Sequence, residues 1–120
     1  MTPDSSKSPP PPSGPKYSAR VALNCRPNHA PGPVLHALQE LRSKIDDRLR
    51  QELGRHYEHH RAQSVGTDKL TVVFALRAAT PADAIRTAGL AAGTLVALLT
   101  DAEAAIDLAG IALVVRADLD

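Results

Sequence analysis

Residues 69–83 read KLTVVFALRAATPAD, and this stretch contains both periodicities from which the fold can be predicted. Its first part alternates between two sets of side chains, which is typical of a strand with one covered face. Thr80 then suits a helix N-cap, Pro81 the first helical position, and Asp83 a variant of the capping box. The stretch therefore predicts a strand followed by a helix that extends to about Leu99. The inward-facing strand residues are Leu70, Val72, Phe74 and Leu76.

Two more strands are predicted from the same alternation. Residues 17–26, YSARVALNCR, precede a segment with three prolines and a glycine that ends the strand. Residues 111–119, IALVVRADL, form the last strand, after a short helix that Thr100 and Asp101 would cap. The inward-facing residues of the first strand are Ala19, Val21, Leu23 and Cys25.

Residues 33–63 carry apolar side chains every three or four positions, which predicts one long helix that Gly54 would kink. About 30 residues at 1.5 Å each give a helix of about 45 Å. An eight-residue strand spans only about 27 Å, so we expect the helix end, residues 55–63 (RHYEHHRAQ), to overhang the sheet. The apolar positions are Val34, Leu38, Leu41, Ile45, Leu49 and Leu53.

The predicted order, β-α-β-α-β, indicates an α/β fold of the α+β-like, two-layer type. A three-stranded sheet would be covered by one long helix and one Ala-rich helix. Helical connections of this length favour parallel neighbouring strands. The proportions resemble those of a ferredoxin-like sandwich, although the prediction lacks the fourth strand of that fold.

The chain of 120 residues suits one small domain, which we assign to residues 17–120. Residues 1–16, MTPDSSKSPPPPSGPK, have almost no side chain to bury. We expect them to form a disordered, partly polyproline-II tail. Such a tail either only solubilises the domain or docks in an SH3-like or WW-like groove.

Charge and cysteine content limit the partners and the compartment. The formal net charge is +1, so no global attraction to nucleic acid or membrane is expected. The single Cys25 excludes an intramolecular disulfide and favours a reducing compartment. The tail lacks the apolar region of a secretory signal, and residues 87–99 are fewer than the roughly 20 that cross a bilayer. A soluble, cytoplasmic protein without a membrane partner is predicted.

The Ala-rich helix is apolar on two sides. Opposite its core stripe it carries Gly89, Leu90, Gly93 and Ala97, and no charged residue lies between Arg86 and Asp101. Small residues at four-residue spacing form a smooth strip that another backbone can approach closely. The spacing is compatible with self-association and with packing against an element of the same chain.

The overhanging helix end is the second predicted contact surface, made of Leu53, His56, Tyr57 and His60. An i,i+4 pair of histidines can bind a metal, but zinc sites have three or four protein ligands and no further ligand has a recognisable spacing. We interpret the cluster as a partly wet contact surface. A pH-responsive interface and a metal site completed across a dimer are the alternatives. No metal and no cofactor are predicted.

Arginines on the outer face of the predicted sheet define a third surface, formed by Arg20, Arg26, Arg77 and Arg116. Guanidinium groups bind phosphates through paired donors. Recognition of single-stranded bases also needs aromatic rings, and the only phenylalanine, Phe74, is predicted on the opposite face. A hydrated face, a nucleic-acid contact and a dimer contact are the three interpretations.

The chain contains no glycine-rich phosphate loop, nucleophile elbow or metalloprotease signature, so no catalytic residue is predicted. We predict a non-enzymatic interaction module that forms a homo-oligomer, most simply a dimer, or binds a protein partner. The alternative is a nucleic-acid-associated regulator that uses the arginine-bearing sheet face.

Overall fold

A computed structural model describes residues 14–65 and 69–118 of the chain. The predicted tail therefore lies outside the described residues, except for Gly14, Pro15 and Lys16. Lys16 already belongs to the first strand, so the folded part begins earlier than residue 17. The elements are β1 (Lys16–Cys25), α1 (Pro31–Glu40), α2 (Arg42–Leu53), a 3-10 turn (Gly54–His56), β2 (Tyr57–Val65), β3 (Lys69–Arg77), α3 (Pro81–Asp101) and β4 (Ile106–Ala117).

The described strands form one four-stranded antiparallel sheet in the order β2-β3-β1-β4. With the order βαββαβ along the chain, this is the ferredoxin-like arrangement. The predicted two-layer combination of helices and sheet is confirmed. The prediction of three strands with parallel neighbours is wrong. The helices do connect parallel strands, but β3 lies between β1 and β2, and β1 lies between β3 and β4.

The prediction of a single long helix over residues 33–63 is wrong as well. Leu41, with φ −87° and ψ 0°, separates α1 from α2. Gly54 ends α2 instead of kinking it, since its φ of 56° and ψ of −127° are open to glycine and strained for other residues. Residues 57–65 form the edge strand β2, so no helix end overhangs the sheet.

The core lies between the helices and one face of the sheet. The inward-facing residues predicted for the two central strands, β1 and β3, are all buried. They form one cluster with apolar side chains of the three helices, and Ile106 of β4 joins it. The helix contributions include Val34, Leu38, Ile45, Leu49, Leu53, Ala88, Ala91, Leu95, Leu98 and Leu99.

The helix α3 begins as predicted and ends later than predicted. The backbone N–H of Asp83 donates to Thr80 Oγ1 at 3.1 Å, which is the expected N-cap bond. The helix continues to Asp101, so Thr100 caps no second helix, and β4 already begins at Ile106. By length and composition α3 could cross a membrane, but half of its apolar window is buried in the fold, as in the core helix of a soluble protein.

Candidate functional site

The outer face of α3 lies on the surface of the fold. Ile85 and Leu90 are 59% and 53% exposed, and Gly89, Gly93 and Ala97 are exposed along the same helix. The predicted strip thus borders an open groove of about 510 Å³ between α3 and α2. The groove is lined by Arg48, Glu52, Gly89, Leu90, Gly93, Thr94 and Ala97.

The chain's own packing does not require glycine at positions 89 and 93. A Cβ atom added to either residue would meet no atom outside its own stretch of helix within 4 Å. Glycine inside a helix costs about 0.5–1 kcal/mol relative to alanine, because it loses more backbone freedom on folding. Gly89 and Gly93 therefore weaken α3 on an exposed face where larger side chains would fit.

Few charges interrupt this face of α3. Arg86 pairs with Asp83 at 2.8 Å, and the next charged residue of the helix is Asp101 at its last position. Thr94 Oγ1 donates a hydrogen bond to Glu52 and so joins α3 to α2 beside the groove. Between Arg86 and Asp101 the helix consequently presents an uncharged surface to solvent.

Most of the second predicted contact surface is buried. Leu53, Tyr57 and His60 are 6%, 3% and 5% exposed, so they belong to the chain's own core. Tyr57 Oη donates to Asp46 Oδ1. His60 Nδ1 lies 2.8 Å from Tyr57 Oη and 3.1 Å from Asp46 Oδ1. Since the hydroxyl hydrogen of Tyr57 goes to Asp46, His60 Nδ1–H donates to both oxygens.

The protonation of this buried cluster follows from its burial and its hydrogen bonds. Burial lowers the pKa of His60 and outweighs the opposing effect of the Asp46 carboxylate. Burial and the hydrogen bond to Asp46 raise the pKa of Tyr57. Burial alone would raise the pKa of Asp46, but the hydrogen bonds from Tyr57 and His60 and the charge of Arg50 lower it. The cluster joins β2 to α2 with neutral His60 and Tyr57 and an ionised Asp46.

His56, the remaining residue of that predicted surface, lies half-buried at the end of the sheet. Its Nδ1–H donates to the Arg77 carbonyl oxygen at 2.8 Å, which fixes the turn before β2 against the end of β3. Within residues 14–65 and 69–118, no three His, Cys, Asp or Glu side chains lie close enough together to hold a metal ion.

The sheet face opposite the helices brings together only some of the predicted arginines. Arg20 and Arg116 are exposed on it. Arg77 instead donates to Glu58 at 2.7 Å and to the Gly14 carbonyl at 3.3 Å. Arg26 lies beyond the end of β1 and donates to the Ile106 carbonyl at 3.3 Å.

Arg61 joins this face, and the sequence prediction missed it because residues 57–65 were assigned to a helix. It pairs across the sheet with Val73, which in turn pairs with Arg20. These arginines line a shallow hollow of about 340 Å³, whose lining also contains Lys16, His59, Glu58 and Asp118. The chain has no tryptophan, and Tyr17, Tyr57 and Phe74 are buried, so no phenyl or indole ring is offered for base stacking.

No known protein family matches this chain, and no curated protein sequence is significantly similar to it. The ferredoxin-like arrangement supports many unrelated functions, so the fold alone does not select one. The function must be inferred from the surfaces described above.

Proposed function

We propose that this chain is a non-enzymatic protein–protein interaction module that self-associates as a homodimer through the outer face of α3. The observation that carries the proposal is the pair of exposed glycines, Gly89 and Gly93, beside the exposed Leu90. Small residues allow a second backbone to approach closely, and burying one leucine side chain contributes about 1.5–3 kcal/mol.

A second copy of the chain satisfies the chemistry of this face. A two-fold axis beside Gly93 would pack the uncharged strip of α3 against itself, with Leu90 of each copy covering the strip of the other. Arg48 and Glu52 line the groove next to the strip and carry opposite charges. A two-fold contact puts the same groove on both copies, so each side of the interface would offer one positive and one negative side chain.

The proposal assigns no catalytic residue and no cofactor. Strongly perturbed ionisable groups mark active sites when they lie in an accessible cleft. Tyr57 and His60 are perturbed, but they are buried and hydrogen-bonded within one cluster. Their arrangement favours a structural role.

Light-scattering mass, measured on the full chain over a range of concentrations, tests the proposal. We expect the mass to rise from that of one chain, 12.7 kDa, towards twice that value. Gly93→Leu should keep the protein monomeric, because its side chain would separate the two helices. Gly32→Leu is the matched control, since Gly32 lies in α1 and also has open space around its Cβ position. A native chain that stays monomeric, or equal masses for the two variants, would contradict the proposal.

Binding of a nucleic-acid backbone by the open sheet face is a second candidate function. It is favoured by Arg61, Arg20 and Arg116, which stand on β2, β1 and β4. None of the three has an acidic partner within the described ranges. Because the face lacks aromatic rings, it would hold phosphates and read little sequence.

Titration with a single-stranded oligonucleotide at 50 and 200 mM salt tests this candidate. Binding should weaken with added salt, and replacing Arg20, Arg61 and Arg116 by glutamine should reduce both the affinity and its salt dependence. Arg48→Gln, on the helical side of the molecule, is the control. Absence of binding at the lower salt concentration would exclude this function.

A further inference from the structure

An apolar hollow of about 460 Å³ opens between the start of α3 and the edge strand β4. Its lining has no charged side chain, and Leu113 on its wall is 37% exposed. Ile85, the most exposed of the large apolar side chains described, forms the helical side. Contiguous apolar surface of this kind marks a contact site more often than a scattered exposed leucine does. The hollow is lined by Tyr17, Pro81, Ile85, Leu113, Val115 and Ala117.

The chain enters the fold next to this hollow and is held there. The Arg77 guanidinium donates to the Gly14 carbonyl, and the Ala78 backbone N–H donates to the Pro15 carbonyl at 3.3 Å. Gly14 has a φ of +93°, and a Cβ atom there would lie 2.1 Å from the Ala78 carbonyl oxygen. Position 14 therefore requires glycine. The backbone at Gly14 is held against Ala78, three residues before Pro81, which lies on the wall of the hollow.

A run of four prolines, residues 9–12, precedes this anchor by two to five positions. Because an extended chain spans at most about 3.6 Å per residue, these prolines are tethered within about 18 Å of Gly14. Tyr17 follows Gly14 by three residues, Pro81 follows Ala78 by three residues, and both line the hollow. The hollow is therefore within reach of the four prolines. Proline rings pack well against apolar side chains such as Ile85 and Leu113, and a proline segment loses little conformational freedom when it binds.

We propose that residues 9–12 of the chain dock in the hollow between α3 and β4. The short connection through Gly14 makes the contact intramolecular, with an effective concentration in the millimolar range for such links. A weak apolar contact is then enough to keep the site filled. The docked prolines would cover Ile85 and Leu113, two of the exposed apolar side chains of the fold.

Nuclear magnetic resonance of the full chain tests this proposal. We expect nuclear Overhauser effects between the ring protons of residues 9–12 and the methyl groups of Ile85 and Leu113. Replacing all four prolines by serine should abolish these effects and shift the amide resonances of Leu113, Val115 and Ala117. Pro3→Ser, outside the run, is the control and should leave the spectrum of the hollow unchanged.

Ile85→Asp tests the same contact from the side of the hollow. Because Ile85 is exposed, the substitution should leave the helical circular dichroism unchanged while the Overhauser effects are lost. Their absence in the native chain, or an unshifted spectrum in the four-serine variant, would overturn the proposal. Overhauser effects found only between differently labelled chains in a mixed sample would also overturn it, since they would assign the hollow to a second copy.

Discussion

His60 lies in the core although imidazole can accept a proton near neutral pH. Tyr57 and Asp46 hold its Nδ1–H, and the centroid of its ring is 6.1 Å from that of Phe74. A second proton would place a positive charge on a side chain that has almost no contact with water. The Asp46 carboxylate opposes the effect of burial on the pKa of His60 without outweighing it, and the positive charge of Arg42 adds to that effect. The folded state therefore prefers neutral His60.

We expect the free energy of unfolding to fall as the pH is lowered from 7 to 5. The pKa of His60 in the folded chain lies below its ordinary value of 6.5, so the unfolded chain takes up this proton first. The stability contributed by neutral His60 is complete above pH 6.5 and is lost as the pH falls towards the folded pKa. The slope should not exceed about 1.4 kcal/mol per pH unit. Urea unfolding at pH 5, 6 and 7 measures it.

The variant His60→Gln should flatten this pH dependence, and His36→Gln, at an exposed position, should not. Asp46, whose pKa is lowered from its ordinary value of 3.8, changes the free energy of unfolding only at more acidic pH. It therefore does not affect the slope between pH 5 and 7. An unchanged slope in His60→Gln would show that another group is responsible.

The Tyr57 hydroxyl should contribute to stability at pH 7. Tyr57→Phe removes the donor to Asp46 and one acceptor of His60 Nδ1–H, and we expect a loss of about 1–3 kcal/mol because one partner is charged. Tyr17→Phe is the matched control. Tyr17 is buried, and its hydroxyl makes no hydrogen bond within the described parts of the chain. Equal losses from the two substitutions in urea unfolding would argue against the cluster.

At the scale of the elements, β2 shows why part of the fold could not be predicted. Tyr57 and His60 both face the core, although residues three apart in a regular strand face opposite sides. A bulge between Tyr57 and His59 adds one residue to the strand and restores the inward direction. In a helix, residues three and four apart share a face, so His56 and His60 matched the apolar stripe of α2 past Leu53 and a helix was predicted.

The elements that were predicted correctly are those whose sequence patterns are local. Strict alternation identified β1 and β3, and the Thr80 cap identified the start of α3, because each pattern is complete within a few residues. Sheet order, the burial of His60 and the position of Arg61 depend on pairing between distant segments, which a local pattern does not encode.

Two glycine-to-alanine substitutions should change stability in opposite directions. Gly54→Ala places a Cβ on a residue with φ 56°, and we expect a loss of about 1–3 kcal/mol. Gly93→Ala adds a methyl group to open space inside α3 and should add about 0.5–1 kcal/mol to the stability of the monomer. Thermal unfolding under dilute conditions compares them. A gain for Gly54→Ala would disprove the assigned end of α2.

At the scale of the whole molecule, the two edges of the sheet differ in character. The edge strand β2 exposes Arg61 and Gln63, whereas β4 exposes Leu113 and Val114, the latter to 51%. Edge strands with exposed aliphatic side chains pair readily with other chains, and charged residues prevent this. The β4 edge is thus the side of the sheet with less protection against aggregation.

A lysine on this edge should protect the protein. We expect Val114→Lys to lower light scattering on heating while changing the midpoint of unfolding little, because the side chain points to solvent. Gln63→Lys adds the same charge to the already polar edge and is the control. If Val114→Lys leaves the scattering unchanged or both variants lower it equally, aggregation does not begin at β4.

The central position of β1 has a consequence for synthesis on the ribosome. Val21 pairs with Val72 on one side and with Leu113 on the other, about 50 and 90 residues later in the chain. Closing such large loops slows folding, and a nascent chain exposes β1 without a neighbour until β3 has left the exit tunnel. A chain that ends before Ile106 lacks β4, so one edge of β1 would keep unpaired backbone N–H and C=O groups. We therefore expect truncated translation products to depend more on chaperones than the full chain does.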